Sequence, residues 1–311
     1  MLRGVLSNKD KAVVEQREAG YRYINPLLEC DTTRNTIQNK ELYDFEHDIE
    51  NIIKNRLDKN WAKKVSVYFR ELNDGLWFSI GEQEKFTIAS LRKVPMLITF
   101  LKKAESDKKI LLQKIRYTLQ TNYNDLQAIK PSQVLTPGQD YTIEELLYRM
   151  IVYSDNNAFT LLSSIVDVKE LDKTYEVFGI IPPGTNIDAD YRSVDSYASF
   201  FKILYNASYL SRDMSEKALD LLGKSEFRAG ILEGVPQNIL VAHKFGEHWN
   251  PQNSIKELHD CGIVYYPEHP YLLCIMSIGE NFQLLDDAIA SISKSIFVHV
   301  DEQHKKHYPK K

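Results

Sequence analysis

The spacing of apolar positions changes period along this chain, and the order of the changes predicts its layout. From Glu41 to Trp61, residues Leu42, Phe45, Ile49, Ile52, Ile53 and Leu57 recur at three and four, the signature of one helix face. Val65, Val67 and Phe69 then alternate with polar neighbours. Asn73-Asp74-Gly75 and Leu76 to Ile80 follow, which reads as a β-hairpin with an Asp-Gly turn. Helical patterns take over at the apolar run FTIASLRKVPMLITFLKK, Phe86 to Lys103. Thr142 to Tyr153 is a further helix, with Thr142 and Glu145 placed as a capping box. Asn157 to Val166, Lys169 to Phe178, Ser193 to Leu204 and Ser215 to Gly223 continue the series, broken by a Pro/Gly/Asp loop from Ile181 to Asp190. Strand patterns return at Asn238 to Lys244 and in a hairpin of Ile263 to Tyr266 with Tyr271 to Ile278. Phe282 to Val300 closes the chain as a helix.

The order is helix, two strands, a long helical insert, three strands, helix. It predicts an α+β fold: one five-stranded antiparallel sheet flanked by the N- and C-terminal helices, with an all-helical lobe inserted between strands two and three. Residues 41–311 then form a single two-lobed unit, with the sheet lobe at about 41–88 and 236–303 and the helical lobe at about 89–235. A cleft runs between the lobes. Residues 1–40, polar and mixed apart from Tyr21 to Leu28, read as an extension packed on the surface.

Composition narrows the function. At 311 residues, 43% hydrophobic and 26% charged, the chain has the make-up of a globular protein with a sizeable core. A net charge of -4 supplies no general attraction to nucleic acid or anionic membrane. No apolar run approaches the ~20 residues of a membrane span. The first residues, MLRGVLSNKDKAVVEQREAG, lack the apolar core of a secretory leader, so the protein is either cytoplasmic or separated from a leader or anchor. Cys261 and Cys274 fall on the two strands of one hairpin; together with Cys30 they read as small buried apolar residues rather than a disulfide framework. His243, His248 and His259 lack ligand spacing, and His299, His304 and His307 sit in a lysine-rich tail. No metal and no cofactor are expected.

Chemistry enters at Ser90-Leu91-Arg92-Lys93. If Ser90 opens a helix, residues three apart are neighbours, and the Lys93 amine comes within reach of the Ser90 hydroxyl. A serine becomes a nucleophile when a base takes its proton, and a desolvated lysine can be that base. Two further S-x-x-K matches, Ser106 to Lys109 and Ser291 to Lys294, read as helix surface. Pro95 removes a backbone donor and costs ~3 kcal/mol inside a helix, so the helix either starts late or is kinked. Two more motifs fall at the cleft. In Ser154-Asp155-Asn156, the Ser154 hydroxyl can relay a proton to a leaving nitrogen, and the Asn156 amide can bind a substrate carbonyl. In His243-Lys244-Phe245-Gly246-Glu247, Lys244 supplies charge for a substrate carboxylate, Gly246 lets the strand approach closely, and the Glu247 N–H pairs with that of Ser90 as an oxyanion hole.

S-x-x-K, S-D-N and K-[ST]-G in that order resemble the class A β-lactamases and penicillin-binding proteins. The stretch TPGQDYTIEELLYRMIVYSDNNA is similar to that family's approach to S-D-N, and the resemblance runs from about Leu42 to Val300. It implies a β-lactamase/transpeptidase-like fold, Ser90 as the acylated nucleophile, Lys93 as its base, Ser154 as proton shuttle, Asn156 as substrate ligand, and Lys244 with Gly246 as the third wall. The substrate is then a β-lactam or related peptide, the protein a monomer, and its location outside the cytoplasmic membrane. Two departures stand out. Phe245 replaces the hydroxyl that helps hold a substrate carboxylate. Between Gly179 and Ser193 there is no glutamate to activate a deacylating water; only Asp188 and Asp190 offer a carboxylate. Besides a fast hydrolase, the pattern therefore fits a slowly deacylating penicillin-binding or D,D-peptidase-like protein, or a cleft that binds cell-wall peptide without chemistry.

Overall fold

Alternating side chains on Lys64–Glu71 (β1) divide between two hydrophobic clusters, and the molecule is built around that division. A computed structural model describes residues 15–18, 20–30, 40–73, 75–185 and 191–307. With β1, the strands Trp77–Ile80 (β2), Val241–Asn250 (β3), Ile255–Val264 (β4) and Tyr271–Gly279 (β5) form one antiparallel sheet in the order β2-β1-β5-β4-β3. Val65, Val67 and Phe69 face a cluster shared with Lys40–Asp58 (α1) and Phe282–His307 (α8), through Phe45, Ile49, Leu285, Ile289 and Ile292. Tyr68 faces the other cluster, which runs into the helical lobe. The central strand β5 is buried on both faces, Leu273 and Ile275 on one side, Leu272 and Met276 on the other. That is why its sequence is a continuous apolar run instead of an alternation.

The helical lobe lies between β2 and β3 in the chain. Its α-helices are Lys93–Ser106 (α2), Ile143–Val152 (α3), Asn156–Ser163 (α4), Val168–Val177 (α5), Val194–Tyr205 (α6) and Arg212–Gly223 (α7). The capping box at α3 forms as predicted: the Glu145 N–H donates to Thr142 Oγ1 at 3.1 Å, and the Thr142 N–H donates to Glu145 Oε2 at 2.7 Å. Leu97 and Leu101 of α2, Leu146 of α3 and Phe201 of α6 are wholly enclosed at the centre of this lobe. Such burial, ~1.5–3 kcal/mol for each large apolar side chain, is the main force holding the lobe together.

Three expectations need correction. Ser90 does not open the α-helix. It sits in a 3₁₀ turn, Ala89–Arg92, and α2 begins at Lys93. Pro95 is thereby third in α2, where its missing N–H would have had no intrahelical partner, so no donor is lost. Strand β4 begins at Ile255, well before its apolar pattern, because Glu257, His259 and Asp260 are buried polar residues with partners, and β3 spans Val241–Asn250 in place of Asn238 to Lys244, its polar end pairing with that longer β4. Cys261 and Cys274 are not thiols but a disulfide. They stand directly opposite each other on β4 and β5. Asp74 of the hairpin turn, and Asp188 and Asp190 of the loop, lie outside the described residues.

Candidate active site

The 3₁₀ turn that carries Ser90 is pinned from three directions. Ile88 and Leu91 are buried beneath it, and the Tyr197 hydroxyl donates to the Leu91 carbonyl at 2.9 Å. Upstream, Glu257 on β4 accepts from the Thr87 N–H and the Thr87 hydroxyl, both at 2.9 Å. Ala89 takes φ +45, a left-handed conformation that a residue with a Cβ adopts only under constraint. Ser154 does the same at φ +54. One strained position directly precedes Ser90, and the other is the motif serine Ser154 itself.

Ser154 is held from the other wall by Asp155, the N-cap of α4. The Asp155 carboxylate accepts from the N–H groups of Asn157 at 2.7 Å and Ala158 at 3.2 Å, and from Asn124 Nδ2 at 3.0 Å. Asn124 Oδ1 in turn accepts from the Asn156 N–H at 2.7 Å. Asn122, Tyr123 and Asn124 thus form a polar cradle under the S-D-N turn, and Asn122 Oδ1 accepts from Asn157 Nδ2 at 2.8 Å. No recognisable motif in the sequence marks this cradle. Its one signal was the run of short polar residues TNYND, which has no fixed spacing to the motif it supports.

Two lysines converge on Ser154. Lys93 Nζ donates to the Ser154 carbonyl at 2.7 Å, to Asn156 Oδ1 at 2.7 Å and to Ser154 Oγ at 3.1 Å. Lys244 Nζ donates to the same Oγ at 2.8 Å and to the Phe245 carbonyl at 2.8 Å. Both side chains are fully buried. Burial first, and then the Lys244 charge, holds Lys93 well below the usual lysine range; burial lowers Lys244 to about 7. Among the described residues, Lys93 makes no hydrogen bond to Ser90, so the direct contact expected from the S-x-x-K spacing is absent. The half-buried Ser90 is one turn away instead.

The third wall is β3, the edge strand of the sheet, with its unpaired backbone edge on the cleft side. A Cβ on Gly246 would stand 3.0 Å from Leu91 Cγ, 3.2 Å from the Leu91 nitrogen and 3.3 Å from the Ile88 carbonyl. Only glycine lets this strand lie so close to the Ser90 turn. Phe245 is buried, with its ring stacked on Phe227 at 4.1 Å and the Lys244 ammonium 4.1 Å above it. The Glu247 side chain crosses to the opposite wall, where Oε1 accepts from the Ile129 N–H at 3.0 Å. Ser90, Lys93, Ser154, Asn156, Lys244, Phe245, Gly246 and Glu247 therefore gather around one cleft. The other two S-x-x-K serines do not join it, since Ser106 donates to Lys103 O and Ser291 to Ala288 O.

A two-lobed α+β fold in which S-x-x-K, S-D-N and Lys-x-Gly elements meet between the lobes defines the β-lactamase and penicillin-binding class. The chain belongs to the beta-lactamase enzyme family, whose family model matches residues 45–300. Solved structures agree on the fold. An acyl-enzyme complex of a PBP-A mutant with penicillin G is 19% identical, with a TM-score of 0.67, and the match covers 84% of this chain and 97% of that one. A β-lactamase from Chitinophaga pinensis is 18% identical at TM-score 0.69, covering 83% and 99%. A class A β-lactamase from Mycobacterium abscessus is 18% identical at TM-score 0.69, covering 81% and 99%.

Proposed function

We propose that this protein is a serine hydrolase that forms an acyl-enzyme at Ser90 with a β-lactam or a related amide or peptide. The observation that carries this reading is the convergence of two buried lysines on Ser154, beside the pinned Ser90 turn. When Lys93 is neutral it has two N–H groups and one lone pair. The Ser154 carbonyl and Asn156 Oδ1 accept the two N–H groups, which leaves the lone pair to take a proton. Ser90 Oγ attacks the substrate carbonyl, the C–O bond forms, and the Ser90 proton passes to Lys93. As the C–N bond breaks, that proton travels through the Ser154 hydroxyl to the departing nitrogen. The Lys244 ammonium stabilises the hydroxyl as it hands the proton on, and the N–H groups of Ser90 and Glu247 receive the oxyanion.

A slow second step is favoured by one feature. No glutamate lies between Gly179 and Ser193 to activate water against the ester. We therefore expect the acyl-enzyme to persist, as in a penicillin-binding protein. Residues 41–311 act in this reading as one two-lobed unit. An extracytoplasmic location fits the Cys261–Cys274 disulfide, a bond that persists in oxidising compartments. Among the described residues, no helix is long and apolar enough to cross a membrane.

Intact mass after incubation with a penicillin tests the proposal. We expect a lasting adduct of one penicillin mass, lost in Ser90→Ala. Turnover of the penicillin without an adduct, still dependent on Ser90, would keep the nucleophile and remove the slow second step. Full activity in Ser90→Ala would refute the mechanism.

A further inference from the structure

We propose that Glu257 and His259 on β4 are positioning residues for acylation: they hold the Ser90 turn through Thr87 and set its spacing from the oxyanion strand β3. The inference rests on the acyl-enzyme reading above and names what keeps its nucleophile in place.

Thr87 stands three residues before Ser90, and its N–H, hydroxyl and carbonyl are all held by these two side chains. The N–H donates to Glu257 Oε2 and the hydroxyl to Glu257 Oε1, both at 2.9 Å. The carbonyl accepts from His259 Nε2 at 3.0 Å. The far side of the ring sets the direction of that bond. There Nδ1 accepts from the Ser277 N–H at 3.2 Å, so the ring proton that faces Thr87 is on Nε2. Nε2 also lies 3.4 Å from Glu257 Oε2, which ties the two side chains together. Glu257 is 6% exposed and His259 0%. A buried carboxylate is costly unless its oxygens are filled, and here both accept from Thr87.

Strand β4 is also the strand that fixes the register of β3. His259 stands directly opposite Gly246, and Leu258 opposite Glu247, whose N–H is the second oxyanion donor. Glu257 and His259 lie either side of Leu258 in the chain and share the face opposite to it. One three-residue stretch thereby holds the β3 backbone by strand pairing and the Ser90 turn by side chains. The turn needs such a hold. Ala89, between Thr87 and Ser90, takes φ +45, and a strained residue persists only where its surroundings over-determine it. Downstream, the Tyr197 hydroxyl anchors the Leu91 carbonyl. With Thr87 released, Ala89 relaxes and carries the Ser90 N–H away from that of Glu247. The buried Phe86 and the short pairing with Tyr191–Arg192 remain, so the chain still folds.

Rapid-quench acylation of the full-length protein over a range of benzylpenicillin concentrations tests this. It separates the rate constant of acylation from the dissociation constant of the complex that precedes it. In Glu257→Ala we expect the rate constant to fall at least about tenfold, equivalent to ~1.4 kcal/mol, with the dissociation constant within about twofold of the parent's. Glu257→Gln keeps an acceptor for the Thr87 N–H and a partner for its hydroxyl, so it should recover most of the rate. Thr87→Val, which removes one hydrogen bond at constant shape, should cost about threefold. A purely structural role would lower the melting temperature and leave the rate constant of the folded protein unchanged. That result in Glu257→Ala, or in Thr87→Val if the alanine variant folds poorly, would overturn the proposal, as would a loss confined to the dissociation constant. Crystal structures of the parent and the same variants give a readout without substrate: Ala89 should leave the left-handed region, and an unmoved turn would also overturn the proposal. If the parent takes up no penicillin, the acylation reading fails, and the crystal structures still decide whether Glu257 holds the turn. An adduct in the parent with an unchanged rate in the variants removes this inference alone.

Discussion

At the scale of single residues, the proposed site depends on two buried lysines that share one serine hydroxyl, with the charge of Lys244 lowering the proton affinity of Lys93. Lys244 sits at about 7, so it carries charge on the acid side of neutrality and loses it on the alkaline side. Lys93 is held well below the usual lysine range, by burial first and then by the Lys244 charge. Acylation should therefore rise as Lys93 loses its proton and fall as Lys244 does, a bell whose limbs belong to the coupled pair. Removing Lys244 takes away a like charge, so Lys244→Met should move the acid limb upward in pH and abolish the alkaline limb near 7. The acylation rate by penicillin, followed across pH in both proteins, measures this; an unmoved alkaline limb would rule it out. Stability follows the same lysine. The folded chain releases the Lys244 proton more readily than the unfolded chain, whose lysine titrates at ~10.4, so between these values the unfolded state binds more protons and stability rises with pH.

At the scale of elements, the proposed mechanism depends on how closely the edge strand β3 approaches the 3₁₀ turn. Its closest contacts are to backbone and to the fully buried Leu91, neither of which can move aside freely. Gly246→Ala should push the strand outward and separate the two oxyanion donors. Contacts of 3.0–3.3 Å are relieved by a shift of a few tenths of an ångström, so we expect acylation to drop by less than the ~10²-fold that accompanies a displacement near 1 Å, together with an overpacking cost of ~1–3 kcal/mol. Rapid quench of the acylation step and a thermal melt read the two effects separately. An alanine variant with unchanged acylation would show that the strand is not the positioning element. The late start of α2 belongs to the same scale. The 3₁₀ turn absorbs the strain at Ala89, and Pro95 then falls where a helix tolerates it.

At the scale of the whole molecule, the sheet is sealed on both faces and the lobes are tied by more than the cleft. The N-terminal segment acts as a strap: Glu216 on α7 accepts from the N–H groups of Arg22, Tyr23 and Ile24, while the Tyr265 hydroxyl donates to the Tyr23 carbonyl at 2.8 Å. The disulfide crosses between adjacent strands β4 and β5 with a sequence separation of 13 residues. Closing a loop of that order removes entropy from the unfolded chain worth ~3 kcal/mol. The double variant Cys261→Ala with Cys274→Ala should lose about 2–4 kcal/mol in denaturant unfolding, and because Cys261 stands directly opposite Lys244 across β3 and β4, the rate of penicillin adduct formation reports whether the bridge also helps to hold that lysine. A variant as stable as the parent would mean that the bridge adds nothing to the fold.

The sequence by itself determined the element order, the antiparallel sheet with its helical insert, and the motifs that the proposed mechanism draws on. These are local properties. Apolar period, capping residues and the short motifs around Ser90, Ser154 and Lys244 act within a few positions of the chain. Tertiary structure alone decided where the polar groups point. Lys93 finds Ser154, 61 residues away, in place of its neighbour Ser90, and Lys244 reaches the same hydroxyl across 90 residues. The Asn124 cradle, the buried Glu257 and His259 behind Thr87, and the Cys261–Cys274 bond were illegible for the same reason. A buried polar side chain is tolerated only when a distant partner satisfies it, and no period or spacing in the chain records which partner the fold will bring.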